Sequence, residues 1–384
     1  MKKIFLLIFF VLICVVIGLF FFSKKEEIVL VFFDKGVVYS YNETDSFLYP
    51  KYDKNLLPLF VLRKTKNSIT VKTPIGLNAF ARLNGDVYEL VQESKVPYTE
   101  PKKVAILYMA TGKYISFWGN FYQAMEKYFL PRHEKTYFLF TDHDDLLVPN
   151  NVIKVHQDQL PWPGMTFMRF HFFDGIKDKL KEYDYIYFLN GTMMPLQEIN
   201  EEIFPTEEQA VAVTIRASDF RRKNLSWARY SRNKKSRSYI SLNEGKYYVM
   251  GGFNGGTSRG FLKLIEILKS WTDEDIKNNV VPRWHDESML NRYVINLFNQ
   301  GKKPLVLFPV YSLYEDKSYH RGIEFQPFAK MIVLDKSLRG GSSFFRGLSN
   351  NTVFVNPDEK SINVFQNTDK ESYDSYYELM HDLK

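Results

Sequence analysis

The chain has 384 residues, which is enough for a sizeable hydrophobic core and for more than one domain. Hydrophobic residues make up 45% of it and charged residues 25%, an ordinary balance for a globular protein. The formal net charge of +7 is compatible with phosphate-bearing ligands or a membrane surface and selects neither. The single cysteine, Cys14, excludes an intramolecular disulfide and any zinc site built from cysteines.

The N-terminus predicts a membrane anchor over residues 1–25. Two lysines precede an apolar run at residues 4–22, which has about the length of a membrane-spanning helix. No small-residue cleavage site follows, so an uncleaved signal-anchor is favoured over a cleaved signal peptide. Lysines flank both ends, so the orientation stays open. We expect a single-pass membrane protein, of the type II, Golgi-like kind if eukaryotic and in the inner membrane if bacterial.

Residues 26–100 contain short strand signals separated by glycine, proline and asparagine turns. These signals predict either a small antiparallel β module or a loosely structured stem, and the pattern does not choose between them. The predicted strands are residues 28–33, 36–41, 59–63, 68–71 and 87–91. A linker rich in proline and lysine ends this region, and the main domain is predicted to begin at residue 101.

From residue 104 onward, buried-strand signals alternate with helical ones, which predicts an α/β fold with a parallel sheet. Ligands of such sheets bind at the carboxyl ends of the strands. Polar residues follow three predicted strands, at residues 110–113, Asp142 and residues 190–192. The predicted strands are residues 104–109, 137–140 and 183–189, and the predicted helices are residues 115–129 and 166–180.

Residues 216–237 are strongly basic, and they are followed by a glycine-rich stretch. The basic residues indicate a nucleic-acid patch, a solvated loop, or a loop that faces an anionic substrate or a membrane. The loop readings are favoured because no nucleic-acid-binding motif surrounds them. In the next stretch, Met-Gly-Gly-Phe-Asn-Gly-Gly at residues 250–256, the glycines indicate either close approach of the backbone to a ligand or tight bends. The basic residues are Arg216, Arg221, Arg222, Lys223, Arg229, Arg232, Lys234, Lys235 and Arg237.

Residues 284–293 read Trp-His-Asp-Glu-Ser-Met-Leu-Asn-Arg-Tyr and predict a helix start. The spacing of Trp284, Glu287 and Asn291 puts them on one face of that helix. A second face, with Leu290 and three further apolar residues, is predicted to be a core stripe. Adjacent carboxylates beside an aromatic ring suit sugar chemistry, although acidic residues at a helix start also serve its dipole. Residues 347–384 are predicted to be a polar tail.

Seven motifs, taken in chain order, resemble those of glycosyltransferase family 6. This family includes the histo-blood-group A and B transferases, the α-1,3-galactosyltransferases and their bacterial relatives. The resemblance covers residues 104–346, so the catalytic domain is predicted at residues 101–346. The motifs are Ala-Thr-Gly-Lys-Tyr at 110–114, Trp-Pro and Arg-Phe-His at 162–171, Asn-Gly-Thr at 190–192, the tyrosine-arginine stretch at 230–240, Met-Gly-Gly-Phe at 250–253, Trp-His-Asp-Glu-Ser-Met-Leu-Asn at 284–291, and Lys336 with residues 339–341.

The resemblance implies the GT-A nucleotide-diphosphosugar transferase fold and a retaining hexosyltransferase activity. Such an enzyme would move GalNAc or Gal from the UDP-sugar to the 3-hydroxyl of a β-galactoside, carried on a glycan or glycolipid. UDP-GalNAc or UDP-Gal is the expected donor, with no cofactor and no nucleic-acid partner. The small residues at 251 and 252 favour GalNAc slightly. Residues 217–220 depart from the family's His-Pro-Gly-Phe pattern, which leaves the acceptor open.

A further departure concerns metal binding. Asn190 and Thr192 stand where the animal enzymes have the two aspartates of a D-x-D motif, and an amide and a hydroxyl bind a divalent ion poorly. The chain therefore resembles the metal-independent bacterial branch, and no metal ligand is predicted. Charge on the leaving UDP would then be met by cations and backbone N–H groups. Lys336, Arg339 and Arg346 are the candidate cations.

The resemblance also implies individual roles. Glu287 would be the catalytic carboxylate, either as a nucleophile or by stabilising positive charge at the anomeric carbon. Trp284 would stack on the acceptor galactose. The alternative function is a catalytically inactive, membrane-tethered protein that binds UDP-sugar or glycan. The presence of both Asp286 and Glu287 makes this alternative less favoured. The predicted donor-binding residues are Ala110, Thr111, Tyr114, Arg169, Asn190, Thr192, Met250, Gly251, Gly252, His285, Asp286, Lys336 and Arg339.

Overall fold

A computed structural model describes residues 94–219, 229–245, 248–315 and 329–346, together with the backbone of strands outside these ranges. The chain divides into two compact units, Met1–Val91 and Gln92–Lys384. The predicted membrane anchor at residues 4–22 lies outside the described residues. Among the residues that are described, no helix is long and apolar enough to cross a bilayer.

The N-terminal unit contains a six-stranded sheet in the order β2-β1-β3-β4-β5-β6. Its first four pairings are antiparallel, as in β1 against β2, where Leu30 faces Tyr41. The predicted strand positions agree with five of these strands to within one or two residues, and β5 was not predicted. The strands are β1 (Glu27–Asp34), β2 (Val37–Asn42), β3 (Phe60–Lys64), β4 (Ile69–Lys72), β5 (Asn78–Asn84) and β6 (Val87–Gln92).

The second unit is built on a seven-stranded mixed sheet in the order β14-β12-β13-β10-β7-β8-β9. Strand β13 runs antiparallel to both of its neighbours, and the other pairings are parallel. The predicted parallel α/β sheet is therefore confirmed, apart from this one reversed strand. The strands are β7 (Lys103–Met109), β8 (Glu134–Thr141), β9 (Val152–His156), β10 (Tyr185–Leu189), β12 (Val211–Ile215), β13 (Val249–Thr257) and β14 (Leu305–Leu307).

Seven α-helices and a small second sheet complete the described part of this unit. That sheet has the order β11-β16-β15, and a separate hairpin pairs β17 with β18. The helices are α1 (Trp118–Tyr128), α2 (Gly164–Phe167), α3 (Arg169–Asp174), α4 (Lys177–Leu180), α5 (Ser258–Lys277), α6 (Asp286–Asn299) and α7 (Gly341–Arg346). The remaining strands are β11 (Met193–Pro195), β15 (Leu313–Tyr314), β16 (Met331–Val333), β17 (Val353–Val355) and β18 (Ser361–Asn363).

Two of the predicted helices differ from the structure. The helix predicted at residues 166–180 is three short helices, because the backbone leaves helical geometry at Met168 and again at Ile176. The helix predicted at residues 115–129 begins as a 3-10 helix, Gly112–Phe117, before α1 starts. In both cases the sequence pattern located the helical residues but did not reveal where the backbone departs from α-helical geometry.

The glycine-rich stretch is a central strand, so of its two interpretations the one of tight bends is wrong. Strand β13 is buried along its whole length. A Cβ atom added at Gly255 would lie 2.2 Å from Tyr187 Cδ1, and one at Gly256 would lie 2.4 Å from the Ala210 carbonyl oxygen. Glycine is required because the neighbouring strands pass too close for a side chain.

Helix α6 starts later than its sequence pattern suggests. Trp284 and His285 have φ values of 62° and 51°, so both precede the helix in left-handed conformations. Trp284 therefore does not share a helix face with Glu287 and Asn291, which corrects that expectation. The predicted core stripe is confirmed, since Leu290, Tyr293, Val294 and Leu297 are buried.

Candidate active site

The sheet topology brings three chain segments to one edge. Strands β7 and β10 end at this edge, and the reversed strand β13 begins there, next to the start of α6. The Asn190 N–H donates to the Gly252 carbonyl oxygen at 2.8 Å, and the Tyr108 hydroxyl donates to the Gly191 carbonyl oxygen at 2.9 Å. The Asn-Gly-Thr motif therefore lies directly beside the Met-Gly-Gly motif, at the carboxyl edge where α/β sheets bind ligands.

Glu287 presents its carboxylate at the middle of this edge. The Tyr248 hydroxyl donates to Oε1 at 2.5 Å, and the Gly251 N–H donates to Oε2 at 2.8 Å. The side chain is half-buried. Hydrogen bonds to a charged acceptor are about twice as strong as neutral ones. Both oxygens of Glu287 are thus fixed in orientation while the group stays open to a ligand.

Asn291 joins the helix to the strand that carries the glycines. Its Oδ1 accepts from the Val249 N–H at 3.0 Å, and its Nδ2 donates to the Val249 carbonyl oxygen at 2.8 Å. The same Nδ2 is 2.8 Å from the Glu287 carbonyl oxygen, one helical turn earlier. Asn291 thereby fixes the distance between the first residue of β13 and the turn that presents Glu287.

Asp286 and Arg169 form a buried ion pair beside Glu287. Arg169 Nη1 donates to Asp286 Oδ2, and the guanidinium carbon lies 4.2 Å from the centre of the Phe188 ring. Arg169 is 5% exposed and Asp286 is 7% exposed. Burial raises the pKa of Asp286 to about 6; the charge of Arg169 opposes this rise, and that of Glu287 adds to it. Burial likewise lowers the pKa of Arg169.

His285 connects the start of α6 to helix α2. Its Nδ1 lies 3.2 Å from the Thr166 hydroxyl, and its ring packs edge-on against Trp162 at 5.1 Å between centres. Trp162 precedes a cis proline, Pro163. These contacts fix the turn before Asp286, so His285 belongs to the wall of the site.

A pocket of about 160 Å³ opens next to the Arg169–Asp286 pair. Its lining combines apolar rings with hydrogen-bonding groups, the usual composition of a small-molecule site. Lys336 Nζ lies 5.8 Å from the centre of the Tyr114 ring on one side of it. Five of the predicted donor-binding residues line this pocket, namely Thr111, Tyr114, Arg169, Asn190 and Lys336.

Asp142 shapes the loop that leads from β7 into this pocket. Its carboxylate accepts from the Gly112 N–H at 2.8 Å, and Gly112 has a φ of 50°. A Cβ atom at Gly112 would lie 2.2 Å from Gln159 Oε1. Asp142 and Gly112 together turn the chain so that Tyr114 faces the pocket.

Other predicted donor-binding residues are less directly available. Arg339 donates to both Glu315 oxygens, at 2.6 and 3.0 Å, and lines a separate cavity of about 400 Å³. The Ala110 N–H donates to the Phe140 carbonyl oxygen at 2.9 Å. Thr192 is only 2% exposed. The Arg346 side chain lies outside the described part of the chain.

The Asn-Gly-Thr segment does not fit a divalent metal. It offers an amide and a buried hydroxyl, whereas Mn²⁺ and Mg²⁺ prefer carboxylates. The site's two carboxylates already contact Arg169, Tyr248 and the Gly251 N–H. Within the described ranges, no cluster of three histidine, cysteine or acidic side chains could hold a metal ion.

Tyr248 was not among the predicted site residues, and Arg216 does not lie in a solvated loop. Tyr248 is buried, and burial together with the Glu287 charge raises its pKa well above the usual value, so it stays a hydrogen-bond donor. Arg216 is buried rather than solvated. Its Nε donates to the Tyr314 hydroxyl at 3.2 Å, and its Nη1 lies 3.7 Å from Asp219 Oδ2. The position of Tyr248, just before Met-Gly-Gly, was the available signal.

Trp284 lies beneath an arginine. The guanidinium carbon of Arg229 is 4.8 Å from the centre of the Trp284 ring, and that of Arg283 is 5.8 Å away. Trp284 Nε1 is buried and has no hydrogen-bond partner among the described residues. The predicted acceptor-binding ring is therefore close to positive charge. Arg221, Arg222 and Lys223 of the same basic stretch lie outside the described residues.

A mixed α/β sheet of largely parallel strands, with oriented carboxylates at its carboxyl edge, fits a GT-A-like glycosyltransferase. The chain belongs to glycosyltransferase family 6, whose model matches residues 61–331. The predicted family is confirmed, and the match begins inside the N-terminal β-rich unit.

Comparison with characterised proteins agrees with this family. The chain is 32% identical over 235 residues to the O-antigen biosynthesis glycosyltransferase WbnI of Escherichia coli, covering 61% of this chain and 94% of that protein. It is 26% identical over 260 residues to histo-blood group ABO system transferase 1 of Rattus norvegicus, covering 65% and 71%. It is 25% identical over 239 residues to globoside alpha-1,3-N-acetylgalactosaminyltransferase 1 of Mus musculus, covering 59% and 66%.

Proposed function

We propose that this protein is a retaining α-1,3-glycosyltransferase that moves GalNAc from UDP-GalNAc to the 3-hydroxyl of a β-galactoside, with UDP-Gal as the other candidate donor. The observation that carries the proposal is the carboxylate of Glu287. It is oriented by Tyr248 and the Gly251 N–H, half-buried, and adjacent to the Arg169–Asp286 pair. A carboxylate held in this way can accept hydrogen bonds from a sugar or stabilise charge at its anomeric carbon, and family membership favours the second role.

The chemistry follows from that placement. The bond between the anomeric carbon and the UDP oxygen breaks, and a bond to the acceptor oxygen forms on the same face of the sugar. The proton of the acceptor hydroxyl passes to the phosphate oxygen of the leaving UDP. Glu287 supplies negative charge beside the anomeric carbon, either by forming a covalent intermediate or by stabilising the oxocarbenium-like transition state. Its orientation is set before the substrate binds, which removes the cost of reorganisation during the reaction.

The donor side is assigned to the 160 Å³ pocket. Tyr114 would pack on the uracil ring, Asn190 would contact the donor, and Lys336 would offset the charge of the leaving UDP. Asp286, fixed by Arg169, would accept hydrogen bonds from donor hydroxyls. Because Lys336 and backbone N–H groups supply positive charge, the reaction would need no metal. Arg339 would have to leave Glu315 before it could contribute.

The choice of GalNAc rests on one relative. Gly251 and Gly252 do not add support, because the space beside them is filled: a Cβ atom at Gly251 would lie 3.2 Å from Asp286 Oδ2, and one at Gly252 would lie 2.8 Å from Met250 Cε. The name of the mouse relative specifies α-1,3 transfer of N-acetylgalactosamine. A methyl-sized difference in a pocket changes selectivity by about 1–3 kcal/mol, so a mixed donor range remains within the proposal.

The test is direct. The full-length protein is incubated with UDP-GalNAc or UDP-Gal and a β-galactoside, in EDTA and then with Mn²⁺, and the product linkage is determined by NMR. Metal-independent formation of an α-1,3-linked product supports the proposal. Saturable UDP binding with no turnover under either condition would instead support the inactive binding protein. We further propose that residues 4–22 anchor the enzyme in a membrane, which extraction with carbonate would test.

A further inference from the structure

Arg229 has an unusual set of contacts for a half-buried arginine. Its guanidinium lies over the Trp284 ring at 4.8 Å. Within the described part of the chain it makes no hydrogen bond and no ion pair. By contrast, Arg232 on the same segment donates to the carbonyl oxygens of Ile240 and Ser241 at 2.5 and 2.7 Å, and Arg237 pairs with Glu274 at 3.1 Å. Among the described residues, therefore, no carboxylate or carbonyl oxygen offsets the charge of Arg229.

A structural role alone accounts poorly for this arrangement. An arginine stacked on a ring gains about 0.5–1 kcal/mol where it is exposed, less than a hydrogen bond to a charged group gains. Partial burial also costs the guanidinium some of its hydration. A neutral side chain could cover Trp284 without that cost, so the positive charge itself calls for an explanation.

Trp284 supplies a second, independent observation. Its indole Nε1 is buried without a hydrogen-bond partner among the described residues. Buried donors in native proteins are nearly always paired, and an orphan points to a missing ligand. The Trp284 N–H and the Arg229 guanidinium belong to side chains in direct contact. Two hydrogen-bond donors, one of them charged, suit an anionic oxygen as ligand.

The location of these donors relates them to catalysis. The Glu287 N–H donates to the Trp284 carbonyl oxygen at 3.0 Å, so Trp284 is in the turn that presents the catalytic carboxylate. Arg283, whose guanidinium carbon is 5.8 Å from the same ring, adds positive charge here. An anionic group bound by Arg229 would therefore be carried by the acceptor, close to the hydroxyl that reacts.

We propose that Arg229 is a specificity-determining residue that selects acceptors in which the reacting galactoside is joined to a group bearing an anionic oxygen, a carboxylate or a phosphate. This inference rests on the proposed function, because it assigns the acceptor class of the same site. The guanidinium pairs with the anion and remains over Trp284, while the galactoside occupies the rest of the ring. A neutral acceptor must displace Arg229 or bind beside it without compensation.

The experiment compares three acceptors that share a terminal β-galactose: lactose, the galactosyl-glucuronic acid disaccharide and lactose phosphorylated on its glucose. A charge-assisted hydrogen bond contributes about 1.5–3 kcal/mol, so kcat/KM for one or both charged acceptors should exceed that for lactose by about 10- to 100-fold. Preference for the acid or for the phosphate identifies the anion. The preference should shrink as ionic strength rises.

Variants separate recognition from folding. Arg229→Gln should remove most of the preference, and Arg229→Lys should keep part of it because a point charge remains. Arg237→Gln is the matched control: it removes the same charge from the same segment, and there the full preference should persist. Donor KM and the melting temperature should be close to wild type in all three.

Equal kcat/KM for the three acceptors would overturn the inference and leave the proposed function standing. The inference would also be overturned if Arg229→Gln lost activity equally on neutral and charged acceptors. That result would mean that Arg229 only covers the Trp284 ring and does not recognise an anion. If no donor is turned over, the proposed function fails, and calorimetry with each saccharide in the presence of UDP still decides the inference. A tighter Kd for the charged saccharides, lost in Arg229→Gln, supports it, and equal affinities overturn it.

Discussion

The hydroxyl of Tyr248 provides the most specific test of how the site works. Replacing Tyr248 by Phe removes the 2.5 Å hydrogen bond to Glu287 Oε1 and leaves the Gly251 N–H as the other donor to that carboxylate. A hydrogen bond to a charged group contributes about 1.5–3 kcal/mol, which corresponds to about 10- to 100-fold in rate if the bond acts in the transition state. We expect kcat to fall by that factor, with donor and acceptor KM changing little.

The assay is the initial rate of transfer with saturating UDP-GalNAc and β-galactoside, beside calorimetry of UDP binding and thermal unfolding. Tyr293→Phe is the matched control. Tyr293 is a largely buried tyrosine on α6, and its hydroxyl makes no hydrogen bond within the described residues. That variant should retain kcat within about threefold of wild type. A Tyr248→Phe enzyme with full kcat and an intact fold would refute the argument that this bond orients the catalytic carboxylate.

Three further outcomes are expected. Glu287→Gln should abolish transfer while UDP affinity, measured by calorimetry, stays near wild type; continued turnover would remove Glu287 from the mechanism. EDTA and Mn²⁺ should each leave the initial rate unchanged, and a many-fold stimulation by Mn²⁺ would contradict a metal-free site at Asn190 and Thr192. Because burial raises the pKa of Asp286 to about 6, this carboxyl takes up a proton as pH falls through that value and its ion pair with Arg169 is lost. The donor kcat/KM should therefore fall between about pH 7 and about pH 5. In Asp286→Asn, which has no such proton to take up, that decline should disappear from an already low rate.

The sequence predicted the fold wherever hydrophobic runs had the period and length of one element. The buried strands β7, β8 and β10 were recognisable as apolar runs, and the core stripe of α6 by its helical spacing. Strand β13 was not recognisable, because four of its nine residues are glycine and strands normally disfavour glycine. Its glycines are set by the closeness of Tyr187 and Ala210, which is a property of the packed structure alone.

The sequence pointed to residues that belong to motifs and gave no sign of those defined by contact. Thr111 and Tyr114, Asn190, and Lys336 come from three distant segments of the sequence and line one pocket. Tyr248 and Arg229 carry no motif of their own. Tyr248 is recognised by its contact with Glu287, and Arg229 by its lack of a carboxylate partner within the described residues, neither of which periodicity can show. Arg339 shows a further limit of motifs, since its motif is present while its side chain donates to Glu315, a contact that the sequence does not reveal.

The arrangement of charge explains why two adjacent carboxylates can have different tasks. Asp286 is buried, and its negative charge is largely offset by Arg169 at hydrogen-bonding distance. Glu287 is half-buried, and among the described residues its carboxylate accepts hydrogen bonds from donors that carry no net charge, the Tyr248 hydroxyl and the Gly251 N–H. The charges of Arg169 and Arg216 act on it without a hydrogen bond. A neutral donor orients a carboxylate without cancelling its charge, whereas an ion pair does cancel it. More negative charge therefore remains on Glu287 than on Asp286. In the proposed reaction Glu287 would face the developing positive charge of the sugar, and Asp286 would serve as a neutralised hydrogen-bond acceptor. The helix start would thus separate charge stabilisation from donor orientation within two consecutive residues.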